Sequence, residues 1–214
     1  MKRILRRHSD LWHRKDFLLS VLWGILLLGA GMVANYAAGV YATAKASNAV
    51  TDIVLDFLPV MNVDLLFIEG SVVFILFLVI ILFLQPKHLP FVLKSIGLFV
   101  LIRSFSVSLT HIGPFPEQID FSPGSITKLI IFPGDLFFSG HTGLPFLLSL
   151  IFWDDRRLRY TFLGFSVLFA ATVLLGHLHY SIDIFAAYFV TYTIFHIATL
   201  AFRKDAERSR MEHL

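Results

Sequence analysis

Cysteine is absent from the 214-residue chain, so disulfides and thiolate metal sites are excluded. Charge is scarce as well. Only 15% of residues are Asp, Glu, Lys or Arg, against about 25% in soluble domains, while 57% are hydrophobic. The HExxH and paired ExxH patterns of helix-borne metal sites are missing, and no metal or other cofactor is expected. No basic stretch is interleaved with aromatics, so nucleic acid is not an expected partner. No internal repeat, low-complexity tract or linker divides the chain. Residues 1–214 are therefore expected to form one domain, and an inverted-repeat transporter is disfavoured.

The chain is rich in long apolar runs. A spanning helix needs about 20 mostly apolar residues to cross a hydrocarbon core of roughly 30 Å. Six runs qualify: Phe17–Tyr41, Leu65–Leu84, Pro90–Thr110, Leu136–Trp153, Leu158–His177 and Tyr180–Phe202. The expected fold class is thus all-α, a polytopic membrane protein built as a six-transmembrane-helix bundle. The turns "QPKH" and "DDRR" are short and polar, whereas the connections after the first and third runs are long.

Lys and Arg orient such a bundle, because cytoplasmic segments retain them. The N-terminal tail (1–16) carries Lys2, Arg3, Arg6, Arg7, Arg14 and Lys15, and the C-terminal tail (203–214) carries Arg203, Lys204, Arg208 and Arg210. Lys87 and the Arg156, Arg157 and Arg159 cluster occupy the short turns, while the long connections hold only Lys45 and Lys128. With six spans every basic cluster falls on one face, so both termini are expected in the cytoplasm. A basic N-region followed by "YATAKAS" also resembles a signal peptide, but the apolar run is too long for one, and the first run is expected to be retained.

Two motifs then fall on the opposite face. "LFFSGHTG" (136–143) opens the fourth run and "GHLHYSID" (176–183) opens the sixth. His179 and Asp183 are four apart and share a helix face, so the carboxylate can fix one imidazole nitrogen and leave the other to react. His141 comes from another helix as an independent acid or base. Arg103 lies inside the third run, about two turns before Thr110, where a guanidinium in lipid needs a polar cavity and an anion. Its planar fork suits phosphate or carboxylate. Together these groups supply a nucleophile, an orienting carboxylate, a proton donor and a cation, as phosphoryl transfer requires.

Blander readings stand beside this one. His141 can be an interfacial packing residue, His179 and Asp183 a structural pair, and Arg103 a snorkelling side chain. His177 reads as a hydrogen-bonding residue at the water boundary, His196 as a helix-packing contact and "DDRR" as a solvated turn. His88, His111 and His213 carry little signal. His141, His179 and Asp183 could also ligate a metal, or bind an anion in transit without chemistry.

At these motifs the chain resembles the sphingomyelin synthase family, a branch of the type 2 phosphatidic acid phosphatase superfamily. "GDLFFSGHT" (134–142) is similar to its SGHT motif, and "GHLHYSID" with the following "IFAAYFVTY" to its HY(T/S)xD motif. "LIRSFSVSLTHIGPFP" is similar to its segment bearing Arg and Thr, here Arg103 and Thr110. The resemblance implies a two-step, metal-free transfer. His179 attacks the phosphorus of a phospholipid head group, Asp183 orients its ring, and His141 protonates the departing diacylglycerol oxygen. The phosphohistidine then passes the head group to a lipid hydroxyl of ceramide or diacylglycerol type, or to water in a phosphatase. Arg103 and Ser139 are expected to bind phosphate, with Glu117 and Asp135 as further acidic residues of the site. The donor phospholipid, the lipid acceptor and the bilayer are the expected partners. Thr172-Val173 stands where the lipid phosphatases carry a Ser-Arg pair, which tilts the resemblance toward transfer.

Overall fold

The computed structural model describes residues 8–119 and 132–210. The basic residues Lys2 to Arg7, Lys128 and His213 lie outside them. Among the described residues the chain is all-helical, with 76% helix and no strand. The principal helices are α1 (Lys15–Lys45), α2 (Asp64–Leu84), α3 (Leu89–Leu109), α4 (Gly140–Ile151), α5 (Arg156–Leu175), α6 (Ser181–Ala201) and α7 (Arg203–Arg210). Five of them, α1, α2, α3, α5 and α6, are long and apolar enough to cross a membrane. An integral membrane protein follows from those lengths and compositions.

The fourth run departs from expectation. Leu136–Trp153 is not one spanning helix: residues 132–139 pass through a turn at 133–134 and then run extended or bent, and α4 begins only at Gly140. Its 12 residues rise about 18 Å, well short of a hydrocarbon core. "LFF" is as apolar as any helix, so hydropathy alone cannot separate a helical turn from an extended strap packed inside protein. Irregular backbone is tolerated at that depth only where protein groups satisfy it, and that requirement shapes the site below.

Helix α1 lies along α3, and the crossing is close because small residues face each other. A Cβ on Gly97 would come within 2.9 Å of the Leu28 backbone nitrogen, and one on Gly31 within 3.1 Å of the Gly97 carbonyl oxygen. On the other side α2 packs against α5 through aromatic edges, with Phe74 centred 5.9 Å from Phe169 and 6.2 Å from Phe162. The apolar core runs between these pairs and includes Phe99, Phe138, Leu147 and Ile194, all nearly solvent-free.

The polar turns gather at the end of the bundle where α2 ends and α5 begins. There α7 folds back as a clamp. Asp205 accepts from Lys94 Nζ of α3 at 2.6 Å, Ser20 Oγ of α1 at 2.7 Å and Arg208 Nη1 at 3.0 Å. Arg208 Nη2 also reaches Asp16 at 2.8 Å. Lys94 and Asp205 are both largely buried, so removing the carboxylate strands a cation rather than merely losing a contact. Asp205→Asn is expected to destabilise the protein by about 2–3 kcal/mol, measured as the midpoint of thermal unfolding in detergent.

Candidate active site

The local sequence explains how each group reaches its place. At the end of α5 the amide of His177 donates to the Leu174 carbonyl (3.0 Å) and that of Leu178 to the Val173 carbonyl (2.8 Å). This pair of bonds is a Schellman ending, with His177 in the left-handed region at φ 52°. Its ring Nε2 lies 2.9 Å from the Leu58 carbonyl, and the side chain is buried. The chain turns sharply there, and His179 is presented just ahead of α6.

Asp183 sits in the first turn of α6, where a carboxylate complements the helix dipole. Its Oδ2 accepts from the Tyr180 amide at 3.1 Å and pairs with His179 Nδ1 at 3.1 Å. Nδ1 also lies 2.9 Å from the Leu136 carbonyl. A carbonyl can only accept, so Nδ1 carries the proton and Nε2 retains a lone pair in the neutral ring. Asp183 is wholly buried and His179 nearly so.

Arg103 holds the other side of the extended segment. Its Nε donates to the Phe138 carbonyl at 2.8 Å, and Nη1 to Asn35 Oδ1 at 3.1 Å and Asp135 Oδ2 at 3.0 Å. Nη2 has no hydrogen-bond partner among the described residues. Gly140 lets the guanidinium approach closely, since a Cβ there would lie 3.1 Å from Arg103 Nε. Ser139 then caps α4 by accepting from the Thr142 amide. His141 follows on the first turn, its ring 4.3 Å from that of Phe67 and 5.9 Å from that of Phe169.

Arg103, Asp135, His141 and His179 line one cavity of about 360 Å³, with Asn35 and Gln118 as further polar groups. Apart from Ser71, its remaining wall is apolar and includes Met32 of α1, Phe67 and Ile75 of α2 and Phe169 of α5. Met32 and Ile75 are themselves more than half exposed on the bundle's flank, so the cavity reaches the lateral surface between α1 and α2.

Two expected site residues are placed differently. Glu117 occupies an exposed bend and does not line the cavity, while its neighbour Gln118 does and donates to the His177 carbonyl at 3.0 Å. Ser139 is buried and occupied as a helix cap, away from the cavity wall. Asn35 and Gln118 escape a reading of the sequence because single amides in long segments carry no spacing signal. Among the described residues, no three His, Asp or Glu side chains converge as a set of metal ligands.

A second layer fixes the loops over this end. Asp52 Oδ2 accepts from the Ser181 amide at 2.7 Å, and Oδ1 from Val54 and Leu55 amides at 2.8 and 3.2 Å. Tyr180 donates its hydroxyl to the Gly113 carbonyl at 2.8 Å and accepts from the Val50 amide at 3.2 Å. Burial alone would raise the Asp52 pKa, but these amides outweigh it and hold the carboxyl below its ordinary value of 3.8.

Residues 133–200 match the family model described as PAP2 superfamily C-terminal. That stretch contains both histidine motifs and supports the superfamily, without distinguishing its sphingomyelin synthase branch. No curated protein and no solved structure gives a significant match. The matched segment and the apolar helices fit a membrane protein of lipid phosphatase or phosphotransferase type.

Because the Asp52 pKa is lowered by folding, its contribution is full above the unfolded value and fades as pH falls through the lowered one. Asp52→Asn is therefore expected to lower the unfolding midpoint at pH 7, with the difference from the parent shrinking below about pH 4. Thermal melts across pH 3–7 check this.

Proposed function

We propose that the protein is a membrane-embedded lipid phosphotransferase that moves a phospholipid head group to a lipid hydroxyl through a phosphohistidine on His179. The observation that carries this reading is the fixed ring of His179. Its Nδ1–H is held by Asp183 and the Leu136 carbonyl, while His141 and Arg103 line the same cavity.

In the first step Nε2 of His179 forms a bond to phosphorus as the bond from phosphorus to the diacylglycerol oxygen breaks. His141, protonated, gives its proton to that oxygen. Charge developing on the phosphoryl oxygens is met by Arg103, and charge on the His179 ring by Asp183. In the second step His141 takes the proton of the acceptor hydroxyl, whose oxygen attacks phosphorus and releases His179. Chemistry of this type draws about 10²–10⁴-fold from each positioned acid or base.

The apolar wall and its opening on the flank favour a lipid donor and a lipid acceptor, ceramide or diacylglycerol in type, over water. The distribution of Lys and Arg favours work at the non-cytoplasmic leaflet. His179→Ala and His141→Ala are each expected to reduce turnover of labelled phospholipid at least about 10³-fold, with inserted, folded protein. Asp183→Asn is expected to reduce it roughly 10²-fold. Lipid chromatography with and without ceramide or diacylglycerol then separates the products. Label appearing in a new lipid supports transfer, label in water-soluble phosphate makes the protein a phosphatase, and full activity of either alanine variant rejects the mechanism.

A further inference from the structure

The turn "DDRR" contributes to a second cavity, at the end of the bundle away from the histidines. It holds about 790 Å³ and is bounded by the α2–α3 turn, the α4–α5 turn and the end of α7. Lys87, Arg156, Arg157 and Arg210 line it, and among the described residues Asp154 and Asp155 are the acidic members of its wall. Asp155 is already engaged, capping α5 by accepting from the Arg157 and Leu158 amides at 2.9 and 3.1 Å. His88 forms part of the floor and is fixed on both ring nitrogens, to Ser209 at 2.6 Å and Gln85 at 3.0 Å.

Basic residues near a membrane surface are common, but three of these arginines differ from their neighbours. Arg14, Lys94, Arg203 and Arg208 each hold a carboxylate. Arg156, Arg157 and Arg210 form no ion pair with any described residue. Beside the cavity Arg159 stacks on Trp153 and Tyr160, at 4.6 and 4.8 Å from the ring centroids, and Arg156 lies 5.9 Å from Tyr160. Both aromatic rings are about half exposed, as side chains at the boundary between hydrocarbon and head groups are. A roomy, cation-lined cavity at that depth is complementary to a phosphate-bearing head group.

We infer that this cavity is a binding site for the phosphate-bearing head group of an anionic lipid, separate from the catalytic cavity. Arg156 and Arg157 supply the charge, and the Trp153–Tyr160 surface meets the acyl-chain side of the ligand. The inference does not depend on the proposed reaction, since binding here involves no group of the histidine site.

The test uses the full chain carrying His179→Ala, so that no lipid is turned over. Retention of dioctanoyl phosphatidylglycerol, dioctanoyl phosphatidylcholine and inorganic phosphate is measured by native mass spectrometry and competition. One phosphatidylglycerol is expected to be retained and weakened about 25-fold by Arg156→Gln with Arg157→Gln, about fivefold for each charge. Arg156→Lys with Arg157→Lys is expected to restore most of it, and Arg203→Gln, which removes an ion-paired arginine of the same surface, to change nothing. Equal retention of phosphatidylcholine, equal loss in Arg203→Gln, or unchanged binding in the double glutamine variant would overturn the inference. Complete displacement by millimolar inorganic phosphate would assign the site to free phosphate and overturn the lipid.

Discussion

The extended segment 132–139 runs through an apolar bundle without a helix to satisfy its peptide groups, and everything at the site follows from that constraint. The Phe138 carbonyl accepts a hydrogen bond from Arg103 Nε–H, and the Leu136 carbonyl accepts one from His179 Nδ1–H. The Ser139 amide reaches the Asp183 carbonyl at 3.3 Å. Unsatisfied, each such group would cost several kcal/mol in a water-free interior. The side chains that rescue this backbone are the same ones that line or support the cavity, so stability of the strap and geometry of the site are one problem.

Arg103 illustrates the double duty. As a cation well inside a spanning helix it reads from sequence as a ligand for phosphate or carboxylate. In the structure Nε and Nη1 are given to the segment and to Asn35, with Asp135 as counter-ion. Among the described residues Nη2 has no partner and is left for an anion. An arginine used in this way can stabilise charge that develops during a reaction and still have a compensating carboxylate when the cavity is empty. His179 behaves similarly: the hydrogen bond that anchors the strap also sets its tautomer.

Much of this was legible in the sequence, for definite reasons. The spans are readable because hydrocarbon imposes length and apolarity, and α2, α3 and α6 begin and end within a few residues of the expected runs. The pairing of His179 with Asp183 is readable because a spacing of four at a helix start permits few other outcomes. That His141, His179 and Arg103 face one cavity was readable only through the alternation of basic segments, which places both histidine motifs at one end. The fourth run is not legible as a strap, because Leu136, Phe137 and Phe138 are equally at home in a helix and in a buried extended segment. Asp52 and Tyr180 were not singled out, since the loop bonds that define their roles join residues about 130 positions apart.

The account stands on His179 forming a covalent bond to phosphorus, and a trapped intermediate tests that most directly. The full chain would be mixed with phospholipid labelled in its phosphate, quenched at neutral pH and digested, and the peptides mapped by mass spectrometry. Label is expected on the peptide containing His179, labile to acid and absent from the His179→Ala variant. Turnover without any labelled histidine, or label that persists in that variant, would contradict the account.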